Sequence, residues 1–191
     1  MFVYNMDNEV SLSLPRPKID AEPLFKLVNQ SRQQLEPWLP WVSNMKSVAD
    51  EEKFLIDTMK HFGTGYSLNT IILFQNQPAG MISFNKFQSM DQSTEIGYWL
   101  GTKYMGHGIM HRSVSGMCDI GFNDYNVHKI AIKAAVENQR SNDVAKKAGF
   151  HFDGSFRDAE LLSDGFHDGN VWTLLEDEWK IQNKTLSDHF E

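Results

Sequence analysis

Glu95-Ile96-Gly97-Tyr98-Trp99-Leu100-Gly101-Thr102-Lys103-Tyr104-Met105-Gly106-His107-Gly108-Ile109-Met110 reads as a strand that runs into a Gly-x-Gly loop and then directly into a helix. Glycines let a backbone turn tightly and approach a ligand closely, and the first N–H groups of a helix point outward without intrahelical partners. That combination makes a cradle for a pyrophosphate. It is not a Walker loop, because a second spaced Gly followed by Lys and Ser/Thr is absent, and it lacks the third Gly of a dinucleotide fingerprint. Spacing alone leaves two readings, a bound pyrophosphate or a tight strand-to-helix turn that binds nothing.

On the N-terminal side, residues 9–14 alternate apolar and polar as a half-buried strand does, and Pro15-Arg16-Pro17 ends the run. Asp20 is expected to cap a helix through about residue 30, and Ser47 a second helix over about 48–61 with Phe54, Leu55 and Met59 inward. Leu35-Glu36-Pro37-Trp38-Leu39-Pro40-Trp41 lies between them. Its prolines exclude regular helix while its tryptophans offer large apolar area, so it is expected to be an ordered loop folded over something. Residues 66–74, 79–87 and 93–100 form an antiparallel meander. After Gly106 a helix runs to about residue 125 with Ile109, Val114, Met117, Cys118 and Phe122 at helical spacing, followed by a strand over 128–136. A short helix over 141–148 stops at Gly149, and strands over 152–162 and 170–175 flank Ser163-Asp164-Gly165. Antiparallel strands with one central βαβ crossover give an α+β class with a mixed sheet of about seven strands.

The 191 residues carry 18 Lys+Arg against 25 Asp+Glu, a formal charge of −7, which argues against broad binding of a phosphate backbone and so against nucleic acid. One cysteine, Cys118, permits no intrachain disulfide and no two-cysteine metal motif, which reads as a reducing, cytoplasmic setting. No signal peptide and no run of 18 apolar residues is seen, so secretion and membrane spanning are not expected. With no repeat or linker, residues 1–191 are read as one domain with an acidic, solvated tail from about 176.

A second segment, Val136-Glu137-Asn138-Gln139-Arg140-Ser141-Asn142-Asp143-Val144-Ala145-Lys146-Lys147-Ala148-Gly149-Phe150, follows the strand that should pair near the first motif. Together, in this order, the two resemble the GNAT superfamily of acetyl-CoA-dependent N-acetyltransferases. Lys103-x-x-Gly106-x-Gly108 stands where the family has Arg or Gln before its x-x-Gly-x-Gly/Ala, and Asn138-x-x-Ser141 through Gly149-Phe150 matches more fully. With Leu35 to Trp41, Glu95 to Leu100 and Gly165-Phe166-His167-Asp168, the resemblance is to the RimJ/RimL branch, which acetylates protein N-termini. It implies a central splayed parallel strand pair holding acetyl-CoA, with Trp99, Leu100 and Gly101 contacting the pantetheine and the N–H groups of Gly106, His107, Gly108, Ile109 and Met110 holding the pyrophosphate. Asn138 joins the cofactor side.

Acetyl transfer needs a neutral amine, stabilisation of the oxyanion, and a proton for the leaving thiolate. The resemblance places Glu95 toward the acceptor channel as the base; the other reading is a strand Glu bonded to its neighbours. Ser141 is the candidate donor to the CoA sulfur, or else it caps the short helix, and both roles are compatible. The Tyr that many relatives use as acid corresponds here to Trp172, whose indole cannot serve. His107 and His111, four apart, lack a third ligand, so no metal is expected. Cys118 reads as buried and inert, and Trp38 and Trp41 as acceptor-pocket lining or core filler. The expected acceptor is a protein N-terminus, with a small amine (polyamine, antibiotic or amino sugar) as rival and a non-catalytic CoA-binding module as a third reading. A homodimer is left open.

Overall fold

The computed structural model describes residues 2–187. An eight-stranded sheet in the order β1-β2-β3-β4-β5-β6-β8-β7 is formed by Val3–Asn5 (β1), Val10–Ser13 (β2), Leu68–Phe74 (β3), Gln77–Phe84 (β4), Ser93–Leu100 (β5), Lys129–Ala135 (β6), His151–Leu162 (β7) and Gly165–Leu175 (β8). Every pairing is antiparallel except β5 with β6. The mixed α+β class expected from sequence is what forms, with β1 as the strand that the sequence reading lacked. Helices are Pro17–Leu35 (α1), Val48–Gly63 (α2), Ile109–Asp119 (α3), Gln139–Lys147 (α4) and Glu176–Ser187 (α5).

Period-two alternation sends neighbouring residues of the central strands to opposite faces. Ile72, Ile82, Phe84 and Ile96 bury with Val114 and Met117 of α3. Ile71, Leu73, Met81 and Trp99 bury with Leu24, Val28 and Leu55 of α1 and α2 on the other face. Each face of the sheet thus has its own core, and the strands join them.

Four local expectations change. Asp20 does not cap α1: Pro17 opens the helix at its first position, where no N–H is needed, and the buried Asp20 carboxylate instead accepts from the Arg16 backbone N–H at 2.7 Å and from its guanidinium Nε and Nη2 at 3.1 and 2.7 Å. Phe54 is exposed while Glu51, Leu55 and Thr58 form the buried stripe of α2; Ser47 does cap this helix, accepting from the Asp50 N–H. The prolines of 37–40 allow a 3₁₀ turn over Pro40–Asn44. The tail is helical as far as Ser187, not simply solvated: Trp179 is buried, its ring centroid 6.1 Å from that of Phe122, and Glu178 accepts from the Leu175 N–H at 2.9 Å. Residues 188–191 of the expected tail lie outside the described residues.

Glu51 is a cost built into this fold. It is 1% exposed and, among the described residues, its Oε2 finds no hydrogen-bond partner, so burial pushes its carboxyl from 4.5 up to about 7. Because the folded state holds this proton more tightly than the unfolded chain, its contribution is fully present below about pH 4.5 and is lost as pH rises through about 7. Glu51→Met, which removes the carboxyl at similar size, is expected to raise stability at pH 8 by up to about 3 kcal/mol relative to its effect at pH 4.5. Melting temperatures of both proteins from pH 4.5 to 8 check this; an offset that does not change with pH would refute it.

Candidate active site

β5 and β6 start as a parallel pair and then part. Their register covers Ser93 with Lys129, Thr94 with Ile130 and Glu95 with Ala131, and no further. β4 pairs with β5 through to Leu100. The Glu95 carbonyl accepts from Asn85 and the Gly101 N–H donates to the Ala79 carbonyl, so alternate residues 95, 97, 99 and 101 direct their main chain at β4. The main-chain groups of Tyr98 and Leu100 therefore face the opening toward β6. Extended polar chain laid here would be met as an added strand is met. Trp99 and Leu100 line this opening as expected. Gly101 has a different duty: a Cβ there would meet the Leu27 side chain of α1 at 2.3 Å, so the position is small for packing and its N–H is already engaged.

The cleft has a volume of about 730 Å³, enough for a sizeable ligand, and passes from Trp38 along β5 to the start of α3 and across to α4. At its far end Gly106 and Gly108 both adopt left-handed backbone, with φ of 83° and 67°, and Gly108 is the N-cap residue of α3. The helix starts at Ile109, so the N–H groups of Ile109 and Met110 belong to its first turn and have no intrahelical acceptor, and both residues line the cleft end. The His107 ring lies on Phe74, centroids 6.1 Å apart and 28° from parallel. Arg112 holds the loop from behind: it donates to the His107 carbonyl at 3.3 Å while Asp7 and Glu9 bind its guanidinium at 2.9 and 3.2 Å.

On the opposite wall, Asn138 caps α4 by accepting from the Ser141 N–H at 3.3 Å. The capping role left open for Ser141 thus belongs to Asn138, and the Ser141 hydroxyl instead meets the Tyr98 hydroxyl at 3.0 Å, at the cleft wall. Asn142, unnoticed in the sequence, is the anchor of this helix. Its amide donates to the carbonyls of Ala135 and Asn138 and its Oδ1 accepts from Asn170 and from the Trp172 indole, each within 2.9 to 3.0 Å. Trp172 is thereby committed to structure.

Glu95 lies on the other face of the sheet from Tyr98 and does not line the cleft. Its carboxylate is 2.8 Å from Lys133 Nζ and accepts from the Asn85 amide at 3.2 Å. Glu160 of β7, which the sequence did not suggest, stands in the same charge group. Burial raises its carboxyl above the usual range, the nearby Glu95 charge adds to this, and Lys133 opposes it. Trp38 lines the cleft, while Trp41 sits outside it with its ring 6.1 Å from that of Trp99. Cys118 is buried and burial pushes its thiol up, consistent with an inert core residue. Among the described residues no group of three His, Cys, Asp or Glu is arranged to hold a metal ion, and no helix is long and apolar enough to cross a membrane.

Residues 10–151 match the family model described as Acetyltransferase (GNAT) domain. The chain belongs to the GNAT acetyltransferase family. It is 29% identical to the YdaF protein of Bacillus subtilis (strain 168), over 94% of this chain and 98% of that one. It is 28% identical to the ribosomal-protein-serine acetyltransferase of Escherichia coli (strain K12), over 82% and 88%. Among solved structures it resembles RimL, the ribosomal L7/L12 α-N-protein acetyltransferase, in complex with coenzyme A, with a TM-score of 0.88 at 26% identity over 93% of this chain and 99% of that one.

As a GNAT acetyltransferase of RimJ/RimL type, the protein uses acetyl-CoA as its acetyl donor. The geometry suits that donor. The splayed strands offer peptide groups to pantetheine amides, the paired left-handed glycines and the helix start offer N–H groups and positive dipole to a pyrophosphate, and Ser141 stands on the wall between. Glu95 and Glu160 lie outside the residues that line this cleft, although Trp99, on the same face of β5 as Glu95, does line it.

Proposed function

We propose that this acetyltransferase modifies the N-terminal α-amino group of a protein of the ribosomal type. The observation that carries the reading is the charge count on the acceptor face: two carboxylates, Glu95 and Glu160, share one cation, Lys133. The surplus of one negative charge suits a single ammonium, whereas a polyamine would call for several unshared carboxylates. Similarity to the E. coli ribosomal-protein-serine enzyme and to RimL supports the same acceptor class.

In this reading the amine loses its proton to the carboxylate group, with Glu160 as acceptor of the proton and Glu95 drawing the ammonium in and adding to the burial that holds the Glu160 carboxyl above its ordinary value. The free amine attacks the thioester carbonyl, and the Ser141 hydroxyl donates to the sulfur as the C–S bond breaks. Trp38 and the Trp41–Trp99 pair form the apolar side of the acceptor approach. No covalent enzyme intermediate is needed.

The test supplies labelled acetyl-CoA with peptides bearing a free N-terminus, with the same peptides formylated at the N-terminus, and with spermidine. Label is expected in the free-terminus peptides alone. Transfer to spermidine at an equal or higher kcat/KM would overturn the acceptor class, and release of thiol with no acceptor would overturn the amine-transfer reading.

A further inference from the structure

Tyr98 projects from β5 toward α4, and its hydroxyl oxygen is 3.0 Å from the Ser141 Oγ and 3.1 Å from the Ser141 carbonyl oxygen. Both residues line the donor cleft. A phenol has one hydrogen to give, and the carbonyl can only accept. Two arrangements therefore fit the same heavy atoms. In the first, Tyr98 donates to the carbonyl and the Ser141 hydroxyl donates to Tyr98, which presents only serine lone pairs to the cleft. In the second, Tyr98 donates to the Ser141 Oγ, and the serine hydrogen is released toward the cleft. The carbonyl tolerates this change because it also lies within the helical bonding pattern of α4.

We propose that Tyr98 is a positioning residue for acetyl transfer: its hydroxyl hydrogen turns from the Ser141 carbonyl to the Ser141 oxygen as negative charge grows on the departing sulfur, and so aims the serine hydrogen at that sulfur. This rests on the reading of Ser141 given above and adds to it the group that sets its donor state. Burial pushes the Tyr98 phenol up to about 12, so it stays protonated and is a poor final source of a proton. Both hydroxyls accordingly end the cycle as they began. The C–N bond forms, the C–S bond breaks and its electron pair leaves with sulfur; the Ser141 hydroxyl hydrogen-bonds to that thiolate without leaving its oxygen, the amine proton passes to Glu160 and then to solvent, and the thiolate takes its proton from solvent.

A mere staple between β5 and α4 would act differently, and a double-mutant cycle of Tyr98→Phe and Ser141→Ala separates the two roles. Tyr98→Phe is expected to lower kcat about tenfold with the Kd for acetyl-CoA within about twofold of the parent, and to have no further effect on kcat in the Ser141→Ala background. Melting temperature is followed throughout. Placing 3-fluorotyrosine at 98, a stronger donor of nearly the same size, is expected to keep or raise kcat and provides a fold-preserving second variant. Parental turnover in Ser141→Ala would mean that the serine reading itself has failed. A slow Ser141→Ala with parental Tyr98→Phe would overturn the Tyr98 role alone. So would a Tyr98→Phe loss that appears equally in acetyl-CoA affinity, that persists undiminished in the Ser141→Ala background, or that 3-fluorotyrosine reproduces.

Discussion

Glu160→Gln is expected to lower kcat about a hundredfold at pH 7 while leaving acetyl-CoA affinity and melting temperature close to those of the parent. The amide keeps the size of the side chain and removes its basicity. An α-amino group has a pKa of about 7.7 to 8.0, so at neutral pH most of the acceptor is protonated and must be deprotonated by the enzyme or by solution. The variant should therefore recover as pH rises through about 8, where solution supplies free amine. The parent should work at lower pH, down to an acidic limb set by the raised Glu160 carboxyl. Glu95→Gln shifts that limb in a defined direction. Removing a negative neighbour lowers the Glu160 pKa, and Lys133, released from its 2.8 Å contact, lowers it further. The limb should move to lower pH, with a smaller loss of about tenfold because the remaining base is weaker. Turnover from pH 5.5 to 9.5 on the three proteins checks both statements. Superimposable profiles would remove the two carboxylates from the chemistry.

The second large effect is on donor binding. Gly108 has φ of 67° and open space where a Cβ would go, so a side chain there meets no protein atom but demands a backbone that β-branched residues strongly disfavour. Gly108→Val should relieve this by turning the peptide groups of the loop, withdrawing the N–H groups from the pyrophosphate. The core beneath is untouched: Ile109 and Val114 keep their buried contacts. Acetyl-CoA affinity is expected to fall about a hundredfold, roughly 2.7 kcal/mol, with a melting temperature only a few degrees lower. Calorimetric titration decides; affinity within threefold of the parent would mean that the loop does not hold the pyrophosphate.

What could be read beforehand followed from local rules. The boundaries of β5 were visible because alternation ends at Gly101, and the Gly-x-Gly loop was visible because only glycine takes those φ values cheaply. The start of α3 came two residues later than the pattern suggested, since Gly106 and Gly108 both belong to the loop. Glu160 was illegible: it sits in a polar run of β7, and the charges that give it meaning come from β5 and β6, far away in sequence. Asn142 was hidden for the same reason, its partners arriving from β6, β8 and the start of α4. The tail did carry a signal that went unused. Glu176, Asp177 and Glu178 ahead of Trp179 are what a helix N-terminus favours, followed by a residue worth burying.

The early parting of β5 and β6 leaves the sheet an unfinished object, which a donor laid along β5 would complete. A donor molecule that bonds to the main chain of Tyr98 and Leu100 binds the folded state and has nothing comparable to hold in the unfolded chain. Folding and supply are then linked by mass action: at a free donor concentration one hundred times its Kd, the native state gains about 2.7 kcal/mol. A destabilising substitution far from the cleft would be masked when acetyl-CoA is abundant and exposed when it is scarce, so the same sequence has two stabilities, set by the metabolic state around it.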